Sequence, residues 1–261
     1  MIDYISKNGM PYLRIGNGEP LVLIHGLGGI KENWTNQFEL SDQYELIIPD
    51  LRGHGDNHEL DGITIKNFAK DVLSLLNELN IESAHICGLS MGGTVAQEIY
   101  RQSPEKCLTL ILVSTFHYAP AHLGKIYLQL RNARSFFTTS DQQKLMTAKT
   151  CLYSWKKQNI VEFFKHYKPN KIGYNRALEA CLEVDNRCLL PAITAPTLVI
   201  GGQYDSVLPV WIQFHMHKQI PDSELVIFKN CGHIAKFEVS EQFNLTLRRF
   251  LKKHQIVKKV G

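Results

Sequence analysis

The sequence predicts an α/β fold: a mostly parallel central sheet flanked by helices, with a helical cap inserted late in the chain. Three observations carry this. Short, continuously apolar runs recur at residues 20–25, 45–49, 84–87, 108–113, 197–200 and 224–228. Runs apolar on both faces suit strands covered by helices on either side. Helical patterns separate these runs, and alternation of this kind implies a parallel sheet. Finally, residues 116–190 carry no buried-strand pattern.

Taken in order, residues 3–6 and 11–15 flank Asn8-Gly9, a strong hairpin signal. Thr64 is placed to cap a helix through residue 77, with Phe68, Val72, Leu75, Leu76 and Leu79 on one face. A second helix is expected over 91–102, stopped by Pro104. A third follows Pro209 and a fourth covers 241–252. The segment 116–190 is rich in aromatics, among them Tyr153, Trp155, Phe163, Tyr167 and Tyr174. It is too long for a plain connection and apolar enough to bury a face. The expected organisation is therefore a core of residues 1–115 and 191–261, with 116–190 as a lid over the carboxyl edge of the sheet. Ligands of open α/β sheets bind at that edge.

Composition narrows the function classes. The chain has 261 residues, 44% hydrophobic and 21% charged, which are ordinary globular values. Its formal charge of +4 lies largely in the tail Lys252, Lys253, Lys258 and Lys259. No basic patch interleaved with aromatics points to nucleic acid. The N-terminus lacks a basic stretch followed by an apolar run, and no stretch approaches the roughly 20 apolar residues of a membrane span. A soluble, cytoplasmic protein without nucleic-acid or membrane partners is the expectation. The six cysteines are scattered without metal-like spacing and read as free thiols.

The chemistry is concentrated in a few loops. Gly88-Leu89-Ser90-Met91-Gly92 is a GxSxG pentapeptide between a predicted strand and a predicted helix, the setting such a motif requires. The serine sits on a sharp, strained turn. Gly88 and Gly92 give clearance, because side chains there would strike the neighbouring strand and helix. The Met91 N–H lies at a helix start, where it has no intrahelical partner and faces an anion. His25-Gly26-Leu27-Gly28-Gly29 follows the strand 20–24, and the Leu27 N–H is the candidate second donor of an oxyanion hole. His25 itself is read as ordering that loop. A serine hydroxyl needs a base. Of eleven histidines, His233 stands in a loop just after the last predicted strand. His54 reads as a turn residue, and Asp50 as a brace of the turn around Arg52 and Gly53. The base needs an acid to fix its tautomer. Asp205 follows the strand 197–200 at the same edge. At the rival position, after the strand bearing Val113, stand Ser114, Thr115 and Phe116, with no carboxylate.

The order Ser90, Asp205, His233 is that of α/β-hydrolases. The blocks LVLIHGLGG, IIPDLRGHG, ICGLSMGGTVAQ, APTLVIGGQYDSVLP and FKNCGH resemble that superfamily over nearly the whole chain. CGLSMGGTVAQ is similar to the corresponding block of 3-oxoadipate enol-lactonases. The wider pattern resembles carboxylesterases and the methyl esterase acting on pimeloyl-carrier protein. The resemblance implies Ser90 as nucleophile, Asp205 and His233 as its partners, and Leu27 and Met91 as oxyanion donors. It implies a lid that carries substrate choice. Asp56-Asn57-His58 departs from relatives, which have a small residue and a serine after the RGHG turn. Haloalkane dehalogenases and epoxide hydrolases need a carboxylate where Ser90 stands, so the serine argues for acyl transfer to water; cofactor-free haloperoxidases and carbon–carbon bond hydrolases keep a serine triad too and stay open.

The expected function is hydrolysis of a carboxylic ester, lactone or thioester through an acyl-enzyme, with no metal and no cofactor. The partner is a small-molecule ester, carrier-protein-linked esters included. Lys125, Arg131 and Arg134 are candidates to meet an acidic tail, against a solvated helix face. The rival readings are a small-molecule receptor or signalling protein on the same fold, and a carbon–carbon bond hydrolase or lyase with the same triad.

Overall fold

A computed structural model of the chain describes residues 2–120, 126, 129, 133 and 137–255. Lys258 and Lys259 of the basic tail lie outside the described residues. Eight strands form one sheet: β1 (Ile2–Ile5), β2 (Pro11–Ile15), β3 (Glu19–Ile24), β4 (Tyr44–Pro49), β5 (Ala84–Leu89), β6 (Cys107–Val113), β7 (Thr197–Gly202) and β8 (Ser223–Phe228). Their spatial order is β1-β2-β4-β3-β5-β6-β7-β8. The first hairpin is antiparallel and joins β4 antiparallel, while β4 through β8 run parallel. Every parallel strand therefore ends at the same edge.

The expected helices are α1 (Ile65–Glu78), α2 (Met91–Gln102), α6 (Trp211–Gln219) and α8 (Ser240–Lys253). Thr64 caps α1 by accepting the Asn67 N–H. Strand residues alternate between two cores. Val22, Ile24, Ile86, Leu110, Leu112 and Val199 face α1, α2 and α6. Leu21, Leu23, Cys87, Leu89, Ile111 and Val113 face Phe243, Leu247, Phe250 and Leu251 of α8. Each such buried side chain contributes about 1.5–3 kcal/mol. This double cover explains why the strands read as unbroken apolar runs. Four elements were not foreseen: a 3-10 segment at Lys31–Asp42, the single 3-10 turns Pro104–Lys106 and Leu190–Ala192, and a short helix, α7 (Ala235–Glu238). The segment Lys31–Asp42 has no apolar helical period, since it buries Lys31, Asn33 and Gln37 beside Trp34 and Leu40.

Between β6 and β7 the described residues form α3 (Ser140–Cys151), α4 (Lys157–His166) and α5 (Lys171–Leu182). They share an apolar cluster of Ala148, Cys151, Leu152, Phe163, Tyr167, Tyr174 and Leu178. That cluster also takes in Ile234, and Leu27 packs against it. The insertion is stitched to the loop after β3 as well. Lys168 N–H donates to Gly28 O at 3.2 Å, and Asn33 Nδ2 donates to His166 O at 3.1 Å. No helix among the described residues is long and apolar enough to cross a membrane. The cysteines are free thiols, with only Cys188 exposed.

Candidate active site

Ser90 lies between β5 and α2 with φ 54° and ψ −117°. A non-glycine residue held there stores about 1–3 kcal/mol of strain and persists only when its surroundings over-determine it. They do. The Ser90 N–H donates to Val113 O at 2.9 Å, and its carbonyl accepts Gly93 N–H at 2.9 Å and the Thr115 hydroxyl at 2.6 Å. The flanking glycines are sterically required. A Cβ on Gly88 would run into the Gly92 carbonyl and sit 2.6 Å from Gly93 N, and one on Gly92 would lie 2.6 Å from His25 O. Thr115 and Gly93 are the partners of this turn that the sequence reading missed. Thr115 stands at the rival acid position and serves the elbow instead.

The loop after β3 passes directly beside this turn: a Cβ on Gly26 would be 3.3 Å from Ser90 Cβ. Leu27 follows Gly26 in the chain, and Met91 follows Ser90 and opens α2. His25 is buried and orders the loops, as expected. Its Nε2 accepts the Leu51 N–H at 3.2 Å, which makes Nδ1 the protonated nitrogen donating to Gly26 O at 2.8 Å. Burial pushes its pKa down to about 4. His54 is a buried turn residue whose Nδ1 meets Arg52 O at 2.9 Å.

Asp205 and His233 come together. Asp205 Oδ2 accepts from His233 Nδ1 at 2.8 Å. Asp205 Oδ1 accepts two backbone N–H groups, from Val207 and Leu208, each at 2.9 Å. Those two bonds fix the carboxylate, and the carboxylate fixes the imidazole tautomer so that Nε2 is the free acceptor. Both residues are buried. The loops bearing Asp205 and His233 are also joined through their backbones, Tyr204 N–H donating to Cys231 O at 2.9 Å. Ser90, Asp205 and His233 thus follow β5, β7 and β8 at the shared carboxyl edge.

Asp50 braces more than its own turn. It accepts Lys31 N–H at 2.7 Å and Asp56 N–H at 3.0 Å. The Lys31 ammonium is buried against Asp50 at 3.2 Å and Glu32 at 3.2 Å, and also pairs with Asp56. Burial opposes that charge, but the carboxylates outweigh it and hold the lysine pKa above its ordinary value. Arg52 is gripped from elsewhere, its Nη2 donating to Asp71 at 2.9 Å. The Asp56-Asn57-His58 departure is thereby accommodated: Asp56 pairs with Lys31, and Asn57 Nδ2 donates to Asp50 O at 3.0 Å. Lys125, Arg131 and Arg134 lie outside the described residues.

Comparison with known proteins agrees with this architecture. The sequence model of the alpha/beta hydrolase fold family matches residues 19–239, and the chain belongs to that family. The chain is 28% identical over 242 residues to the dihydrolipoyllysine-residue acetyltransferase component of the acetoin cleaving system of Pseudomonas putida, covering 91% of this chain and 64% of that protein. It spans less than two thirds of the length of such relatives. It is 26% identical over 249 residues to 3-oxoadipate enol-lactonase 1 of Acinetobacter baylyi, covering 92% of this chain and 91% of the enzyme. Among solved structures, a thermophilic esterase from Thermogutta terrifontis with malate bound superposes with a TM-score of 0.86 at 26% identity. That match covers 97% of this chain and 99% of the esterase.

Proposed function

We propose that this protein is a serine hydrolase that cleaves a carboxylic ester or lactone. The observation that carries the reading is the 2.8 Å contact between His233 Nδ1 and an Asp205 carboxylate that two backbone N–H groups hold in place. That arrangement builds a general base, and at the same edge Ser90 is presented on a strained elbow. The similarity to an enol-lactonase and to an esterase supports ester or lactone chemistry.

In the proposed reaction Ser90 Oγ attacks the acyl carbonyl carbon while His233 Nε2 takes its proton. The carbonyl oxygen becomes an oxyanion facing the N–H groups of Leu27 and Met91, each such donor worth roughly 10²–10³ in rate. The tetrahedral intermediate collapses, and His233 returns the proton to the leaving alkoxide. Water then attacks the acyl-enzyme, giving its proton to the same imidazole, and Ser90 is regenerated with release of the acid. Asp205 stabilises the imidazolium in both halves. The apolar cluster of the insertion, which includes Phe163, Tyr167 and Ile234, supports an apolar acyl group.

Hydrolysis of p-nitrophenyl esters from acetate to decanoate, run beside Ser90→Ala, tests this. The wild type is expected to turn over with a chain-length optimum and to be labelled covalently by a fluorophosphonate, and the variant to lose both. Activity retained in Ser90→Ala overturns the proposal.

A further inference from the structure

The base His233 stands on a loop, and a loop does not hold a side chain by itself. Four contacts fix this one. The imidazole meets Asp205, and Cys231 O accepts Tyr204 N–H. The other two come from outside the acid and base loops. The His233 N–H donates to Cys151 O at 2.7 Å, the last residue of α3 in the insertion. The Gly232 N–H donates to Glu238 Oε1 at 2.8 Å.

Glu238 does more than hold Gly232. Its Oε2 accepts Tyr153 N–H at 2.8 Å and Ser154 N–H at 3.0 Å, the residues that leave α3. One carboxylate thus grips the base loop and the insertion together through three backbone N–H groups. Among the described residues its carboxylate makes no ion pair, and it lies in the field of the like-charged Asp205. Burial raises its pKa, and the three N–H groups work against that rise. A half-buried carboxylate without a cation is an expensive way to fill space. Its bonding explains its presence. The approach is so close that a Cβ on Gly232 would lie 2.6 Å from both Cys151 O and Tyr153 N. The acid loop is clasped to the same helix end: Ser206 Oγ donates to Thr150 O at 2.7 Å, and the Tyr204 and Tyr153 rings stack at 4.9 Å.

We infer that Glu238 is a positioning residue for His233, and that the end of α3 is a structural part of the catalytic site. This rests on the reading of His233 as the general base. The insertion, on this view, holds the base as well as covering the substrate, and loosening residues 150–154 disarms the enzyme.

The test compares Glu238→Gln, Glu238→Asp and Ser206→Ala with the wild type, using a short p-nitrophenyl ester and a fluorophosphonate. Glutamine replaces an acceptor oxygen by an amide that faces N–H groups, so kcat and the labelling rate should fall together. A fall of about 10–100-fold is expected, since a misplacement near 1 Å costs about 10² in rate. KM should stay within about twofold, and aspartate should restore part of the loss. A purely structural role would lower the melting temperature without that kcat-specific loss or its partial rescue. Ser206→Ala touches an exposed bond and should fold. It is expected to lower kcat several-fold at constant KM, and it decides the matter if Glu238→Gln does not fold. A labelled wild type with variants of unchanged kcat overturns this inference alone. A wild type that neither labels nor turns over overturns the proposed function instead.

Discussion

Acidification from pH 8 to pH 5 should cost this protein about 4 kcal/mol of folding stability through two histidines alone. His25 is fully buried, and both its nitrogens are committed as neutral imidazole, one donating to Gly26 O and one accepting from Leu51 N–H. Protonation would set N–H against N–H. Burial lowers its pKa to about 4. Burial, then the neighbouring His25 ring with its centroid 5.0 Å away, lowers His54 to about 3. In the unfolded chain both titrate near an ordinary value of about 6.5. Their folded pKa values are depressed, so their full contribution is present above pH 6.5. It is lost as pH falls from there toward 4 for His25 and 3 for His54. Each proton bound by the unfolded state alone costs about 1.36 kcal/mol per pH unit, so 1.5 units and two groups give about 4 kcal/mol. Against a total stability of about 5–15 kcal/mol that is a large loss. Urea melts at pH 8, 7, 6 and 5 measure it. In His54→Asn the loss over the same range should shrink by about 2 kcal/mol, half the pair's total. Parallel stability curves for wild type and variant would refute the reasoning.

Two further predictions concern the site. Asp205→Asn should lower kcat about 10⁴-fold with little change in KM, because an amide facing His233 Nδ1 favours the wrong tautomer; steady-state kinetics at neutral pH checks it. Gly88→Ala should destabilise the fold by about 1–3 kcal/mol or more, since the new methyl meets only backbone. Thermal melts should show the drop, and ester turnover should fall with it because the displaced atoms carry Ser90.

What was legible in the sequence divides along a physical line. The parallel strands were legible because each is covered on both faces, which demands apolar residues at every position and leaves an unbroken run. The elbow was legible because two of its positions admit no side chain, and that requirement writes glycine at fixed spacing around Ser90. The pairing of Asp205 with His233 was legible from where they fall, just beyond strand ends at the shared carboxyl edge. The 3-10 segment Lys31–Asp42 was not, because three of its five buried side chains are polar and bond to partners far away in sequence. Lys31 with Asp50 and Asp56, and Gln37 with Lys236 O and Asn244, are such pairs. Glu238 escaped for the same reason. Nothing local distinguishes a glutamate that will accept three N–H groups from one that will face water. Only Gly232, forced by the close approach of Cys151 and Tyr153, left a mark that sequence reading had available.

That division bears on how the site works. Parallel strands bring three loop ends to one edge without further instruction, so the fold alone delivers Ser90, Asp205 and His233 to the same neighbourhood. Delivery is coarser than catalysis requires. Ser90 is refined by Val113 O and Thr115, both within the core. The loop after β3 is refined by His25 from within and by Lys168 and Asn33 at its junction with the insertion. His233 is refined by Cys151 and Glu238 at that same junction. On the proposed reading Ser90 is therefore set by the core alone, while His233 and the loop that bears Leu27 are set partly by α3 and α4. A change in how the insertion seats should then alter proton transfer and oxyanion binding while leaving the Ser90 elbow in place. Substrate contacts that shift these helices would tune the rate of the chemical step and the affinity together.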